Sequence, residues 1–542
     1  MADLYIYLYI IVAIGLLSNL LPKALFKIIL FIIAIVCLRE ALLGISYFIK
    51  VWKYNSTLYP VTGSFENPGP YGGFLAVCIS LIVSTYIKYF DYSYETNYSN
   101  RNKNPSEETN FLWLVQKVIY WSVFSSGVFA LVIIPATKSR SALLALVISF
   151  IFIILRTKRI KKVIKVELKH EWIWLVPLLI LFCIGAYCFK KPSADGRLFM
   201  DKISILSMAK NNWKGVGLNH FGAAYGQAQA DYFKKQMMED NSDDLDWNCI
   251  NEHDRLTSDC PEYAFNDFLQ IGIEYGLVVM LLFIGVLVGA IVTSMKRGTI
   301  WCFGLISFMV FAMFSYPLQC VQFKLLFPLL IACCLFDRHF FAVNTSSLTN
   351  SKESTILVLI IEIISFISLT PLVIKEENLH KKRKEVYSTW NDDIRKWYKM
   401  EFYDYVVEDC DTLLAYLQDD RYFLFEYGNS LSMTGNYSKS DSILKMGAQI
   451  SSDPMFWNIM GNNSLMQGDY RKAEEHYKKA FYMVPNRLYP LFLLAKLYYA
   501  EQDTVRFLEM ADKVDSFIPK VESTKTQSMR SEILKLKESV IK

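Results

Sequence analysis

"SALLALVISFIFIILRTKRIKKVIKVELKH", residues 141–170, changes character halfway. Up to Leu155 it is apolar; from Arg156 onward seven Lys or Arg stand against a single Glu. A bilayer core takes about 20 mostly apolar residues per helix, and basic residues collect on the cytoplasmic side. The stretch therefore reads as a membrane span followed by its inner loop. Nine further apolar runs accompany it: 4–20, 24–50 (with a break expected near Arg39-Glu40), 71–90, 111–135, 172–189, 267–294, 299–315, 323–341 and 355–374. Alternating outward from 156–170 places 51–70, 136–139, 190–266 and 316–322 on the outer side. The polar tail after residue 375 also falls outside. One run resists, because "KKRK" at 381–384 is basic; if 355–374 is not a span, the tail lies in the cytoplasm.

Composition agrees with a membrane class. The 542 residues are 53% hydrophobic and 15% aromatic, with a mean hydropathy of +0.24, too apolar for one soluble domain. The net charge of +5 is modest, and no nucleic-acid partner is expected. Met1–Leu20 lacks a basic leader, and a second apolar run follows at once, so the first span is expected to be retained. The eleven cysteines show no metal-type spacing, and neither metal nor cofactor is expected. Most lie in apolar runs as small hydrophobes. Cys249 and Cys260 share one polar loop, and their pairing stays open.

The tail carries a repeat. In "PMFWNIMGNNSLMQGDYRKAEEHYKKAFYMVP", residues 454–485, Trp457, Gly461, Ala473, Tyr477, Ala480 and Pro485 fall on a tetratricopeptide spacing. Leu424, Gly428, the run 435–437 and Leu444 echo it upstream; Leu491, Ala495 and Pro519 echo it downstream. A helical array over about 395–538 is expected, either a partner-binding surface or a passive cap.

The unusual polar residues gather on the outer side. Glu66-Asn67 sit in "VTGSFENPGPYGG", where glycines and prolines stop any helix; they read equally as a site wall or as the cap of the next span. Lys138 and Arg140 occupy a tight outer turn. Arg140 alone reads equally as a snorkelling anchor, but two cations on the outside run against the positive-inside rule and favour a functional role. The loop 190–266 begins with Arg197 and an amphipathic stretch (Leu198, Ile203, Ile205, Leu206, Met208) suited to lying along the membrane surface. Gly215 and Gly217 are explained by an ordinary turn more simply than by a phosphate cradle. Asn266 and Asp267 open the following span. Cations beside a membrane-level loop suit an anionic head group, because Arg donates two hydrogen bonds at once to phosphate. Such cations can neutralise a pyrophosphate leaving group without a metal.

Five stretches, "TGSFENPGPYGGFLA", "TKSRSALLAL", "RLFMDKISILSMAKNNWKGVGLNHFGAAY", "YAFNDFLQIGIEYGLVVMLL" and "FSYPLQ", occur in order over roughly 60–325. Together they resemble the O-antigen ligase and polymerase superfamily, in particular bacterial members with C-terminal tetratricopeptide repeats. The resemblance implies an all-α polytopic membrane bundle like the C-type glycosyltransferases, with a large periplasmic loop. It divides the chain into a transferase domain at 1–375, a linker at 376–394 and a repeat domain at 395–542. It implies an undecaprenyl-pyrophosphate-linked glycan donor and an inverting, metal-independent transfer to lipid A core or a protein hydroxyl at the periplasmic face of the inner membrane. Arg140 and Arg197, with Lys138, would hold the pyrophosphate. Asn67, Gly215, Gly217 and Asn266 would line the site. Many members carry a base-assigned His where this chain has Phe265, so the base must come from elsewhere: Glu66, His253 or Asp267, with His220 less well placed. A polymerase sharing donor and fold is the nearest alternative; a non-catalytic scaffold with a protein-binding tail is the other.

Overall fold

The computed structural model describes residues 2–21, 25–51, 59, 61–99, 107–156, 184–185, 187–188, 190–239, 245, 249–337 and 352–541. The basic loop and the expected span at 172–189 fall largely outside them. Among the described residues the chain is helical, with two residues, Lys214 and Gly276, forming an isolated antiparallel bridge. It forms two compact units. The first comprises 1–190, 265–268 and 281–377; the second comprises 191–264, 269–280 and 378–542.

In the first unit, α1 (Ala2–Leu20), α2 (Leu25–Phe48), α3 (Pro68–Ser99), α4 (Glu107–Thr137) and α5 (Arg140–Arg156) precede the loop. Leu25–Phe48, Pro68–Lys88 and Leu277–Arg297 are long and apolar enough to cross a membrane, and shorter apolar helices surround them. The start of α3 is the centre of this unit: Leu75, Ala76, Val77, Cys78 and Ile79 are fully buried against α2, α4, α5 and α11 (Trp301–Ala312). Its Ser80, Ser84 and Thr85 hydroxyls donate back to carbonyls of the preceding turn at 2.7–2.8 Å, which hides their polarity inside the helix. Along α10 (Leu277–Arg297), Val278, Leu281, Leu282 and Val286 are exposed, a surface that suits hydrocarbon.

Two expectations need correction. No break occurs at Arg39-Glu40, and α2 runs through it. Glu40 is buried, but its carboxylate is paired with Arg39 at 2.5 Å and accepts the Ser64 N–H at 2.9 Å; a buried charge satisfied on both oxygens need not interrupt a helix. The single span expected over 267–294 is two helices, α9 (Asp267–Tyr275) and α10. Gly276 between them adopts φ +93°, which ends one helix and re-aims the next.

The second unit joins the outer loop to the tail. The loop supplies α6 (Lys191–Lys210), α7 (Phe221–Glu239) and α8 (Glu252–Thr257). The tail continues from α13 (Lys352–Thr389), which runs unbroken through 376–389, into α15 (Tyr403–Leu417), α16 (Arg421–Met433), α17 (Tyr437–Ala448), α18 (Met455–Met466), α19 (Tyr470–Met483), α20 (Tyr489–Ala500), α21 (Thr504–Ser516) and α22 (Thr524–Ile541). Each tail helix packs on the next. Asp420, Asp469 and Asp503 cap α16, α19 and α21 by accepting backbone N–H groups. Gly428 lies against Leu444 and Gly461 against Tyr477, the close crossings expected of the repeat.

Loop and tail share one core: Phe199, Phe221, Tyr225 and Phe233 of the loop cluster with Tyr477, Phe481, Leu491 and Leu494 of the tail. The buried amide of Asn486 donates to the Arg255 and Ser258 carbonyls at 2.9 and 2.8 Å and contacts the Ser258 hydroxyl. Arg255 in turn donates to Ile518 O at 3.0 Å. The apolar residues of α6 divide between two environments. Ile203 and Met208 belong to this core, whereas Leu198, Ile205 and Leu206 remain exposed. No disulfide joins Cys249 to Cys260. The Cys260 thiol instead accepts from Arg487 at 3.0 Å, and burial pushes it up to about 11 against the pull of that cation.

Candidate active site at the mouth of helix α3

The site grows from the turn before α3. Gly63 adopts φ +56°, and a Cβ there would strike Tyr71 and the Glu40 carboxylate. Glu40 pins this turn through Ser64, and its carbonyl accepts the Tyr71 hydroxyl at 2.9 Å. Phe65 folds inward against Phe74 and Phe323, which leaves Glu66 exposed. The Asn67 carboxamide oxygen accepts the Gly69 N–H at 2.9 Å and caps α3. Glu66 and Asn67 thus separate: one faces outward and the other starts the helix.

Three further stretches meet that mouth. The first is the cationic turn. A Cβ on Gly72 would meet Thr137 at 2.9 Å and Ser139 at 3.0 Å, so α3 crosses the turn almost backbone to side chain. Lys138 adopts φ +51° there, a left-handed conformation that costs a non-glycine residue on the order of 1 kcal/mol. Arg140 donates to the Lys190 carbonyl at 3.2 Å, and the Lys190 ammonium approaches the Lys138 carbonyl at 3.5 Å. Three cations therefore line one edge.

The second and third stretches are 265–268 and 314–323. Asp267 is buried and accepts the Leu318 N–H at 2.9 Å. Gln322 donates to Ser64 Oγ at 3.2 Å. Phe265, the residue in place of the usual His, is held at φ +51° with its ring edge-on to Tyr316 at 4.9 Å. A bulky aromatic in that region is an outlier. Burial pushes the Cys320 thiol up to about 12, with Asp267 and then Glu66 adding to the rise. Both carboxylates thus act on one point.

Glu66, Asn67, Lys138, Arg140, Asn266 and Asp267 therefore belong to the first unit. Arg197, Gly215, Gly217 and His253 belong to the second. Arg197 is half-buried on α6. His253 is 60% exposed, with Nε2 3.2 Å from Asp195. His220 donates from Nδ1 to Leu218 O at 2.7 Å. The Val216 and Gly217 N–H groups bond Ile273 O and Glu274 O at 2.9 and 3.0 Å, so 213–217 works as a staple onto the end of α9. A Cβ on Gly215 would enter the Glu274-Tyr275 backbone. Under that staple Glu274 is buried, and desolvation lifts its carboxyl to about 7 against the pull of Gln270, the Asn219 and Phe221 N–H groups and His220.

Sequence reasoning missed Glu40, Lys190, Glu274 and Tyr316. A carboxylate inside an apolar run was a usable signal for Glu40. Lys190 was hidden at the junction of span and loop. Among the described residues no group of three acidic, Cys or His side chains is placed to hold a metal.

The family model described as O-antigen ligase matches residues 126–284. That segment supports a relationship of the chain to the O-antigen ligase superfamily. The matched region contains Lys138, Arg140, Arg197, Lys190, Phe265, Asp267 and Glu274, while Glu40 and Glu66 lie before it. No curated protein matches the chain. The O-antigen ligase family is glycosyltransferase-like, so the match supports a general enzyme role and implies a lipid-linked glycan donor in the membrane.

Proposed function

We propose that this chain is a ligase-type transferase that moves an undecaprenyl-pyrophosphate-linked glycan to an acceptor hydroxyl at the periplasmic face of a bacterial inner membrane. The observation that carries the reading is the convergence of Lys138, Arg140 and Lys190 on a mouth that also presents Glu66 and Asp267. The cations suit a pyrophosphate, and the carboxylates suit the acceptor side. In the reaction, the acceptor oxygen attacks the anomeric carbon as the carbon–oxygen bond to pyrophosphate breaks, with inversion. The two electrons of that bond leave with the pyrophosphate, where the cations meet the developing charge without a metal. The acceptor proton passes to Glu66, which is exposed at the mouth; Asp267 has one oxygen engaged by Leu318 and holds the 265–268 stretch.

The shared core of loop and tail bears on topology, because the two must lie on one side of the membrane. A periplasmic loop then requires a periplasmic array and an even number of crossings between Gly276 and Asn378. The basic run 381–384 is accordingly an exception to the positive-inside rule. The tetratricopeptide-like array serves both to hold the loop and to receive a protein acceptor or partner.

The test is deletion in the host, followed by separate blotting of lipopolysaccharide and protein fractions with wild type or Arg140→Ala restored. Loss of glycan from one fraction, rescued only by wild type, identifies the acceptor. Attachment that persists with collapsed chain length makes the protein a polymerase. Normal transfer by Arg140→Ala ends the enzymatic reading.

A further inference from the structure

A groove of about 480 Å³ runs between loop helix α7 and tail helix α19 in the second unit, within the size range of small-ligand sites. Its walls are mixed: charged and amide groups supply the polar atoms, while Ala230, Tyr482 and the aliphatic stems of the long side chains supply an apolar share about as large. Each carboxylate in it is already neutralised. Asp231 pairs with Lys210 and accepts from Gln227 at 2.9 Å. Glu474 pairs with Lys478 at 2.9 Å and Arg506 at 3.2 Å, and Glu475 with Arg471 at 3.4 Å. The lining carries four cations against three carboxylates, and one of those carboxylates, Asp231, is taken up by Lys210 from outside it, so the groove holds a surplus of positive charge.

The surplus resides on Lys234 and Lys479, one on each wall. Neither makes an ion pair among the described residues. Each rests on an aromatic face instead: Lys479 is 3.7 Å from the Trp457 ring centre and Lys234 is 5.9 Å from that of Tyr482. Burial holds the Lys479 ammonium below its usual range, the mark of a cation whose charge is incompletely compensated.

We propose that this groove binds carboxylated sugar residues of the glycan, with Lys234 and Lys479 taking the carboxylates. The proposal rests on the glycan-transfer reading above. An acidic sugar fits better than an acidic peptide because the lining offers carboxylate and amide acceptors for the many hydroxyl groups of a sugar chain, which a peptide of carboxylate side chains lacks. Two lysines on facing walls suit successive acidic residues of one chain.

The test is calorimetric titration of the full-length protein in detergent with a galacturonic acid hexamer, with maltohexaose and hexaglutamate as comparators. The expected result is binding of the acidic sugar alone, weakened at least about tenfold in Lys234→Gln/Lys479→Gln and diminished by salt, with the melting temperature of the variant unchanged. Should that variant melt early, Lys479→Arg, which keeps charge and packing, must retain binding. Equal binding of maltohexaose, undiminished binding by the double variant, or binding of hexaglutamate in place of the sugar would each overturn the proposal. An absence of any binding overturns it too, while Arg140→Ala in the transfer assay judges the transferase reading separately.

Discussion

The mouth of α3 and the loop–tail core are held together by opposite means. At the mouth, single contacts do the holding: one carboxylate on one N–H for Asp267, one carboxamide for Asn67, two left-handed non-glycine residues, and cations that touch carbonyl groups. In the loop–tail unit, fully buried aromatic rings interlock and a single amide satisfies several groups at once. Strain and exposed charge collect at the mouth, and saturated packing supplies the rigidity of the loop–tail unit. The tail is therefore part of what folds the loop.

The comparison can be broken by substitutions that separate activity from stability. Arg140→Ala should lower glycan transfer about 100-fold or more, the scale of losing one charge-stabilising donor, while the melting temperature and expression hold. A parallel loss of both would make Arg140 a structural anchor. Asn486→Leu should do the reverse. It strands the Arg255 and Ser258 carbonyls in the core, costing about 3 kcal/mol, and should lower the melting temperature and expose the loop to protease. Protease resistance equal to wild type would show that loop and tail do not depend on each other.

Glu274 provides a pH-dependent version of the same contrast. Its carboxyl holds a proton more tightly when folded, at about 7, than when unfolded. The contribution of Glu274 to stability is therefore complete below the ordinary carboxylate range, falls as pH rises toward 7, and changes little above. The span corresponds to roughly 3 kcal/mol. Melting curves of the wild type between pH 4.5 and 8 should show that fall, and Glu274→Gln should flatten it; an unchanged slope in the variant would assign it to other groups. The smallest effect is expected at Asn67. Asn67→Ala removes the cap of α3, worth about 1 kcal/mol, and Asn67→Asp should restore it. Loss of transfer in Asn67→Asp with stability intact would instead make Asn67 a ligand of the substrate.

Much of this was legible in the residues. Hydropathy placed the apolar helices, and the small residues of the tail spacing, Gly428 and Gly461, mark close helix crossings there. What escaped was of one kind. The continuity of α2 through Glu40 depends on Arg39 and Ser64, the latter 24 residues away in the chain. The break at Gly276 depends on the bridge to Lys214. The interior role of Ile203 and Met208 depends on a core shared with residues more than 200 positions away.

The sequence by itself determined that the chain is an α-helical membrane protein whose apolar spans give way to a polar tail, because periodicity, hydropathy and charge are local properties. Only the tertiary structure decided which polar residues meet. Asp267 and Glu66 act on one point at Cys320, Lys190 joins Arg140, and the outer loop folds onto the tail, since burial and electrostatics are set by distance in space rather than separation along the chain.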